Sequence, residues 1–331
     1  MQRKKAVAIG IDDYSLAPLK GCTNDAIAVA GLLAHDGDGD PNFAVKLLTS
    51  QDGLVGIETM TTAIEQLFTG TADTALLYFA GHGILNQQTN SGYIVAQDGK
   101  KGAWGMALSD IIGLANAAHP RIRSSVIILD SCHSGFAGEL PGLKADGPSI
   151  IGTGVTILSS SHRGGVAEEG KVHGIFTDIL VDGLRGGCCD ILGNITPASL
   201  YSHVDQTLGI WGQRPVYKAN VDSFVNLRSV APKIPRSFLR ELPTLFPEPA
   251  SIFALDPTYE PMRDNVPEEI QSIPPDTEHV RIFKGLQICN RHGLVVPVDA
   301  EHMYYAAIES TGCKLTALGA HYRKLAELGH I

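Results

Sequence analysis

Long apolar segments are missing from this 331-residue chain. No apolar run approaches the roughly 20 residues that a helix needs to span a bilayer, and no apolar signal segment precedes the first strand. The six cysteines, at positions 22, 132, 188, 189, 289 and 313, include no CxxC pair of the kind that binds metals. We therefore expect a cytoplasmic protein with reduced thiols, no membrane contact and no bound metal.

An excess of positive charge is also missing. The formal net charge of -9 argues against nonspecific binding to nucleic acids and weakly favours encounter with basic substrates. No internal repeat is visible, and a chain of this length is typical of one large domain with a small one or of two equal domains, of which we favour the unequal division. Such a chain can bury a sizeable core.

Two apolar runs lead into the most informative residues. Residues 75–80 and 126–129 each read as a strand buried on both faces of a parallel sheet, and each ends in a polar turn that contains glycine. The first turn contains His82 and the second contains Cys132. If the two strands are neighbours, about 5 Å apart, these side chains can face each other as a Cys–His dyad. A lone cysteine is more often a buried apolar residue, and the histidine motif is what favours a nucleophile here.

The two turns have the sequences YFAGHG at 78–83 and DSCHSG at 130–135, and Cys132 lies 50 positions after His82. Together they resemble the caspase-like cysteine peptidases, and the metacaspase branch more than true caspases, whose Gln-Ala-Cys signature is absent. The likeness covers residues 4–228. It implies an α/β fold, with a mostly parallel sheet and helices on both faces.

The resemblance also implies a mechanism. Cys132 is expected to be the nucleophile, His82 the general acid and base, and the backbone amides of Gly83 and Cys132 the oxyanion hole. His133 is a second candidate for the base, but consecutive residues in an extended chain point to opposite sides, so His82 is preferred. No third residue that orients the imidazole is evident in the sequence.

Residues 21–26, GCTNDA, match every fixed position of a segment that lines the primary specificity pocket of metacaspases. The resemblance places Cys22, Asp25 and Asp130 in this pocket and implies cleavage after Arg, then Lys, because two carboxylates favour a cation. A structural role also accounts for Asp25, since an anion is favoured in the first turn of a helix. Ala80 departs from the pattern, because many metacaspases have a serine there.

Other residues complete the predicted cleft. Ser159 ends an apolar strand at 155–159, and this serine and Ser160 are placed to line the cleft. Residues 138–152 are rich in Gly, Pro and charged residues, which predicts an exposed, mobile loop. Its one basic residue, Lys144, is the predicted site of self-cleavage.

No cofactor is predicted. The acidic loop at 35–41 is not an EF-hand, because Pro41 stands where that loop needs a glycine. Calcium dependence stays open, because some metacaspases need calcium, and Asp98 and Glu139 match their pattern only in part.

Local patterns predict caps and edges as well. Asn24 or Thr23 is expected to cap the first helix, and a cap within residues 50–52 is expected for the second. Residues 214–217 and 223–227 are expected to close the sheet.

The composition changes after residue 230. Ten of the 18 prolines lie between Ala231 and Pro275, which predicts an extended connector without long helices. The predicted division is a peptidase domain at 1–230, a Pro-rich connector at 231–275 and a small C-terminal interaction domain at 276–331. The last domain loosely resembles a winged helix, but its six Lys or Arg residues are balanced by six Asp or Glu residues, whereas a DNA-facing module is basic.

The sequence thus predicts a regulated, self-processing cysteine endopeptidase that acts on polypeptides, with the C-terminal domain as a site for a protein partner. Two other classes stay open. One is a catalytically silent caspase-like scaffold or regulator that acts by protein–protein interaction. The other, less favoured because the C-terminal domain is not basic, is a sequence-specific DNA-binding regulator.

Overall fold

The computed structural model describes residues 3–86, 91–131, 151–160, 174–210, 214–263 and 266–331. The chain forms two compact units. The first consists of Met1–Cys189 with Asn194–Ala231, and the second of Asp190–Gly193 with Pro232–Ile331. Within the described ranges, no helix is both long and apolar enough to cross a membrane.

The first unit alternates strands and helices along the chain. Its described strands are β1 (Lys4–Gly10), β2 (Phe43–Thr49), β3 (Ala72–Ala80), β4 (Gly83–Asn86), β5 (Ser91–Lys100), β6 (Ala103–Ala107), β7 (Ile122–Asp130), β8 (Val155–Ser159), β9 (Asn194–Ile195), β10 (Val216–Asn220) and β11 (Arg228–Ser229). Its described helices are α1 (Cys22–Ala34), α2 (Ile57–Leu67), α3 (Leu108–Ala118), α4 (Ile175–Asp182) and α5 (Pro197–Leu208), and a π-helical turn at Gly183–Gly187 follows α4.

Six of these strands form the central sheet, in the order β10-β8-β7-β3-β1-β2. All neighbours are parallel except β10, which runs antiparallel to β8. Helices α2 and α3 cover one face and α1, α4 and α5 cover the other, so alternate strand residues enter two separate cores. The predicted α/β fold, with a mostly parallel sheet and helices on both faces, is confirmed.

A small antiparallel sheet stands at the end of β3. It has the order β4-β5-β6, and its first strand begins one residue after His82. It therefore supports the turn that contains this histidine from one side.

The prediction that residues 223–227 close the sheet is wrong. Only β10 joins the sheet at this edge, and 223–227 form no strand. Leu227 is buried in the core under α1, α4 and α5, and its backbone N–H donates to the Ile195 carbonyl beside the short β9–β11 pair, whereas the Phe224 side chain is 72% exposed. The alternating burial of this segment comes from packing over a helical layer rather than from sheet pairing.

The second unit has its own core around a three-stranded antiparallel sheet of order β12-β14-β13. Its described strands are β12 (Ile252–Ala254), β13 (Val295–Val298) and β14 (Gly312–Leu315), and its described helices are α6 (Arg236–Leu239), α7 (Leu242–Leu245), α8 (Glu268–Gln271), α9 (Thr277–Arg291), α10 (Met303–Ile308) and α11 (Ala317–Glu327).

The Pro-rich segment folds into this second unit. Phe238, Leu242 and Phe246 are buried in its core. A Cβ on Gly285 of α9 would lie 2.0 Å from the Phe238 ring, so only glycine allows this approach. The division seen in the structure thus differs from the predicted three parts. The prolines restrict the segment to short helices and one edge strand, while its Leu and Phe side chains attach it to the core.

Candidate active site

The strands that lead to His82 and to Cys132 are neighbours. In the parallel β3–β7 pair Ala80 lies opposite Asp130, and the Gly81 N–H donates to the Asp130 carbonyl at 3.2 Å. The predicted adjacency is confirmed. Cys132 is the second residue after Asp130, as His82 is the second after Ala80.

Several predicted residues lie outside the described residues. They are Cys132 itself, its neighbour His133, Glu139 and Lys144. The described part of the site is therefore the histidine side, the proposed specificity pocket and their supports.

The His82 ring is held by a backbone carbonyl. Its Nε2 lies 2.7 Å from the Ala17 carbonyl oxygen. Since a carbonyl only accepts, Nε2 carries the hydrogen of this bond, which leaves Nδ1 as the acceptor nitrogen of the neutral imidazole. The group that orients the imidazole is thus the main-chain oxygen of Ala17. A pattern of side chains in the sequence cannot reveal such a group.

Tyr14 holds the backbone and the ring of His82. The Tyr14 hydroxyl accepts the His82 N–H at 3.1 Å and donates to the Val95 carbonyl at 3.0 Å. The two rings are 4.5 Å apart between centroids. Burial raises the pKa of Tyr14, so the phenol stays protonated and able to donate. Gly81 is needed here, because a Cβ would lie 2.6 Å from the Tyr14 hydroxyl.

The loop that supplies Tyr14 and Ala17 is fixed by Asp12. The Asp12 carbonyl accepts the backbone N–H groups of Tyr14 and Leu19 at 2.9 and 2.8 Å. Its carboxylate accepts the N–H groups of Cys22 and Thr23 at 2.9 and 3.1 Å. One residue therefore holds both the loop and the start of α1.

This arrangement corrects the predicted cap of the first helix. Neither Thr23 nor Asn24 caps α1, which begins at Cys22 after Gly21 in the left-handed region, at φ 102°. Two N–H groups of the first turn, those of Cys22 and Thr23, are satisfied by Asp12, which lies two residues after β1.

Gly83 presents its amide away from the small sheet. The Val95 N–H donates to the His82 carbonyl at 2.9 Å, while Gly83 lies opposite Ile94. This is the pattern of a non-hydrogen-bonded pair in an antiparallel ladder, in which the paired residues direct their own N–H groups outward. The Gly83 N–H is therefore directed away from β5, as an oxyanion donor requires.

Asp130 ends a chain of hydrogen bonds that starts in the core. The Thr177 hydroxyl donates to Asp130 Oδ2 at 2.7 Å. Since that hydroxyl has one hydrogen, the Tyr78 hydroxyl, 2.6 Å away, donates to Thr177. Burial, then the Asp130 and Asp25 carboxylates, raise the pKa of Tyr78. The chain thus delivers a donor to the Asp130 carboxylate from a buried, neutral phenol.

Asp25 lies close to Asp130. It is 2% exposed, and its Oδ2 accepts the Gly174 N–H at 3.3 Å. A Cβ on Gly174 would lie 3.1 Å from Asp130 Oδ2 and 3.5 Å from Asp25 Oδ2, so both carboxylates border the same point. The structure therefore brings together these two acids, from α1 and β7, under the first turn of α4.

Cys22 adjoins this pair as a protonated thiol. Burial, followed by the charge of Asp12 and then those of Asp130 and Asp25, raises the pKa of Cys22. A thiol of this kind is a poor nucleophile, because the thiolate is the reactive form. Cys22 is thus a wall of the acidic site and no rival for the nucleophile.

The two serines at the carboxyl end of β8 are buried. Ser159 is fully buried, and its hydroxyl has no hydrogen-bond partner among the described residues. Ser160 is 5% exposed, and its hydroxyl donates to the Leu129 and Ser131 carbonyls at 3.4 and 3.5 Å. Their role in lining a cleft stays a prediction.

Asp98 caps a helix. Its Oδ1 accepts the Ile57 N–H at the start of α2, at 2.8 Å. The cap that the sequence assigned to residues 50–52 thus comes from β5. In the described ranges no group of three or more His, Cys, Asp or Glu residues could hold a metal ion.

Sequence reasoning missed Asp12, Tyr14, Ala17, Thr177 and Gly174. The Asp12-Asp13-Tyr14 run directly after an apolar strand was a usable signal, because polar residues at the carboxyl end of a parallel strand lie at the functional edge of the sheet. The other three had no local signal.

Comparison with known proteins agrees with the fold. A family model described as Caspase domain matches residues 3–223. A crystal structure from Geobacter sulfurreducens superposes with a TM-score of 0.51 at 16% identity, covering 70% of this chain and 98% of that one. Caspase-1 from Spodoptera frugiperda superposes with a TM-score of 0.50 at 15% identity, covering 69% and 91%. No curated protein matches the sequence closely enough to count as a relative.

Proposed function

We propose that this chain, which belongs to the caspase domain family, is a cysteine endopeptidase that cleaves polypeptides after Arg, then Lys. The observation that carries the proposal is the position of His82. It follows the strand next to the one that leads to Cys132, at the carboxyl edge where α/β folds place their chemistry. Its ring is already oriented by the Ala17 carbonyl.

The proposed reaction is acyl transfer through a thioester. His82 Nδ1 accepts the Cys132 thiol proton, and the thiolate attacks the scissile carbonyl. The Gly83 and Cys132 amides donate to the oxyanion, and His82 then gives its proton to the leaving amine. Water, activated by the same imidazole, hydrolyses the thioester. The Ala17 carbonyl supports each step, because it accepts the Nε2–H and stabilises the imidazolium.

Basic specificity rests on the acidic pair. Asp25 and Asp130 come from different elements and face one point beside Gly174, which has no side chain to fill the space. Two carboxylates in a partly buried site favour a cation, and a guanidinium can bind a carboxylate with two parallel hydrogen bonds where an ammonium supplies a point charge. The proposed order of Arg before Lys follows.

The alternative is a catalytically silent scaffold. An active-site titration separates the two, using a thiol-directed peptidyl probe that carries Arg before its reactive group. The peptidase takes up one probe per chain, at Cys132. A scaffold takes up no probe on the time scale at which the peptidase reacts.

Removing the Tyr14 hydroxyl is expected to lower turnover. Tyr14→Phe leaves the half-buried His82 N–H and the buried Val95 carbonyl without this partner. An unsatisfied buried group costs about 1–3 kcal/mol, so we expect kcat to fall roughly tenfold while KM changes little. Steady-state kinetics on an Arg peptide measure both.

Tyr93→Phe is the matched control for this variant. Tyr93 lies on β5 of the same small sheet, opposite Ile84. A Tyr14→Phe protein with the kcat of the Tyr93→Phe protein would show that His82 needs no support from the hydroxyl.

Self-cleavage is expected between residues 138 and 152. Lys144 is the one basic residue of this segment and fits the proposed pocket. Mass spectrometry of purified protein should find the cut, and the cut should be missing from the Cys132→Ala and Lys144→Gln proteins. An active enzyme that remains intact contradicts self-processing and leaves the catalytic proposal standing.

For residues 276–331 of the second unit we keep the proposal of a protein-interaction role over DNA binding, because six Lys or Arg residues there are balanced by six Asp or Glu residues. A cytoplasmic location stays a prediction, and calcium dependence stays open.

A further inference from the structure

A cavity of about 250 Å³ opens beside His82. Its walls come from the loop after β1, from the start of β4 and from β5 and β6. The residues that line it are Tyr14, Ser15, Leu16, Ala17, His82, Gly83, Ile84, Val95, Gln97, Gly99 and Trp104. It thus shares two walls with the proposed chemistry, the base and the oxyanion donor.

The lining is apolar and carries no Asp, Glu, Lys or Arg. Leu16, Ile84, Val95 and Trp104 supply its larger apolar side chains. The Gln97 amide oxygen is already used, because it accepts the Val55 N–H at 2.9 Å. Leu16 is 97% exposed, so an occupant could bury it. Such a cavity favours an apolar side chain over a charged one.

The cavity and the acidic pair lie toward opposite faces of the central sheet. Tyr14 and Val95 belong to the core under α2 and α3, and Ile84 packs against it. Tyr78, whose hydroxyl leads to Asp130, belongs to the core under α1 and α4. His82 therefore has the acidic pair, a subsite for a cation, toward one face of the sheet and the apolar cavity toward the other.

The chemistry decides which part of a substrate reaches the cavity. The residue before the scissile bond is committed to the acidic pair. The proton from His82 goes to the leaving amine, so the first residue of the leaving peptide lies against this imidazole. We infer that the cavity is the subsite for the side chain of the residue directly after the scissile bond, and that it takes an apolar residue of leucine size. This inference rests on the proposed peptidase function.

The test uses matched peptides that differ at one position, with Arg before the bond and Leu, Gly or Asp after it. We expect kcat/KM for the Leu peptide to exceed that for the Gly peptide about tenfold, within the range that a few methylene groups give in an apolar pocket. The Asp peptide should be the poorest of the three. Equal values for Leu and Gly, or a preference for Asp, overturn the inference.

The Leu16→Asp variant tests the location of the subsite. The Leu16 side chain is solvent-exposed, so we expect the fold to tolerate an aspartate there. We expect the Leu/Gly ratio to fall at least threefold. Leu54→Asp is the matched control, because Leu54 is also an exposed leucine, at 66%, and does not line the cavity. This control should keep the wild-type ratio.

The outcomes separate the two proposals. Cleavage of all three peptides at one rate supports the peptidase and overturns the subsite. A Leu preference that Leu16→Asp and Leu54→Asp change equally overturns the location. Failure to cleave any peptide after Arg overturns the proposed function and the subsite with it.

Discussion

Replacing Cys132 or His82 with alanine is expected to remove peptide cleavage, with kcat/KM falling by roughly 10⁴-fold or more. The thiol and the imidazole act as one unit, so the double variant should be no worse than either single variant. The fold should survive, because His82 follows β3 rather than filling a core. Kinetics on a fluorogenic Arg peptide and thermal melting of each variant measure both effects.

Cys189→Ala and His35→Ala are the matched controls, since Cys189 lies in a turn after α4 and His35 caps the end of α1. Both should keep wild-type kinetics. An inactive His133→Ala protein beside an active His82→Ala protein would show that the dyad is wrongly assigned.

Replacing Asp25 with asparagine is expected to lower kcat/KM for an Arg peptide by roughly 30-fold or more. The substitution keeps an acceptor for the Gly174 N–H and removes the charge. Loss of one partner from a buried charge pair costs about 2–5 kcal/mol, and each 1.4 kcal/mol is tenfold. A peptide with an uncharged residue before the scissile bond should lose far less. The wild-type protein should prefer Arg to Asp at this position.

Asp38→Asn controls for net charge, because Asp38 is an exposed carboxylate in the acidic loop after α1. It should leave the Arg preference unchanged. A wild-type enzyme that prefers Asp before the scissile bond, or that cleaves Arg and Asp peptides equally well, would show that the acidic pair does not recognise the substrate side chain. An equal loss on both peptides in Asp25→Asn would assign Asp25 a structural role.

The strand framework could be predicted because its signals are local. Apolar runs with two buried faces mark β3, β7 and β8, and parallel strands leave their chemistry at one edge. The pairing of Ala80 with Asp130 then follows once β3 and β7 are neighbours. The same local reasoning places Asp25 in the first turn of α1.

The supports of the site could not be predicted, because each joins segments far apart in the chain. Tyr14 meets His82 across 68 residues, and Thr177 meets Asp130 across 47. The Ala17 contact uses a backbone oxygen, which any residue type supplies. The predictions of helix caps were wrong for a related reason. A carboxylate from a distant part of the chain can replace a local cap, as Asp98 of β5 does for α2.

The Pro-rich segment illustrates a limit of composition. Its prolines exclude long elements, and the structure contains only short ones there. Composition does not say where Phe238 is buried, because that depends on the space at Gly285, 47 residues later in the chain.

Asp12 connects two parts of the proposed site. Its carbonyl sets the loop that orients the base, and its carboxylate sets the helix that carries Asp25. Natural variation in the turn after β1 would therefore alter substrate choice and turnover in a single step. A substitution at Asp12 that changes substrate choice would also change turnover. Among relatives that share this turn, we therefore expect the two properties to change together.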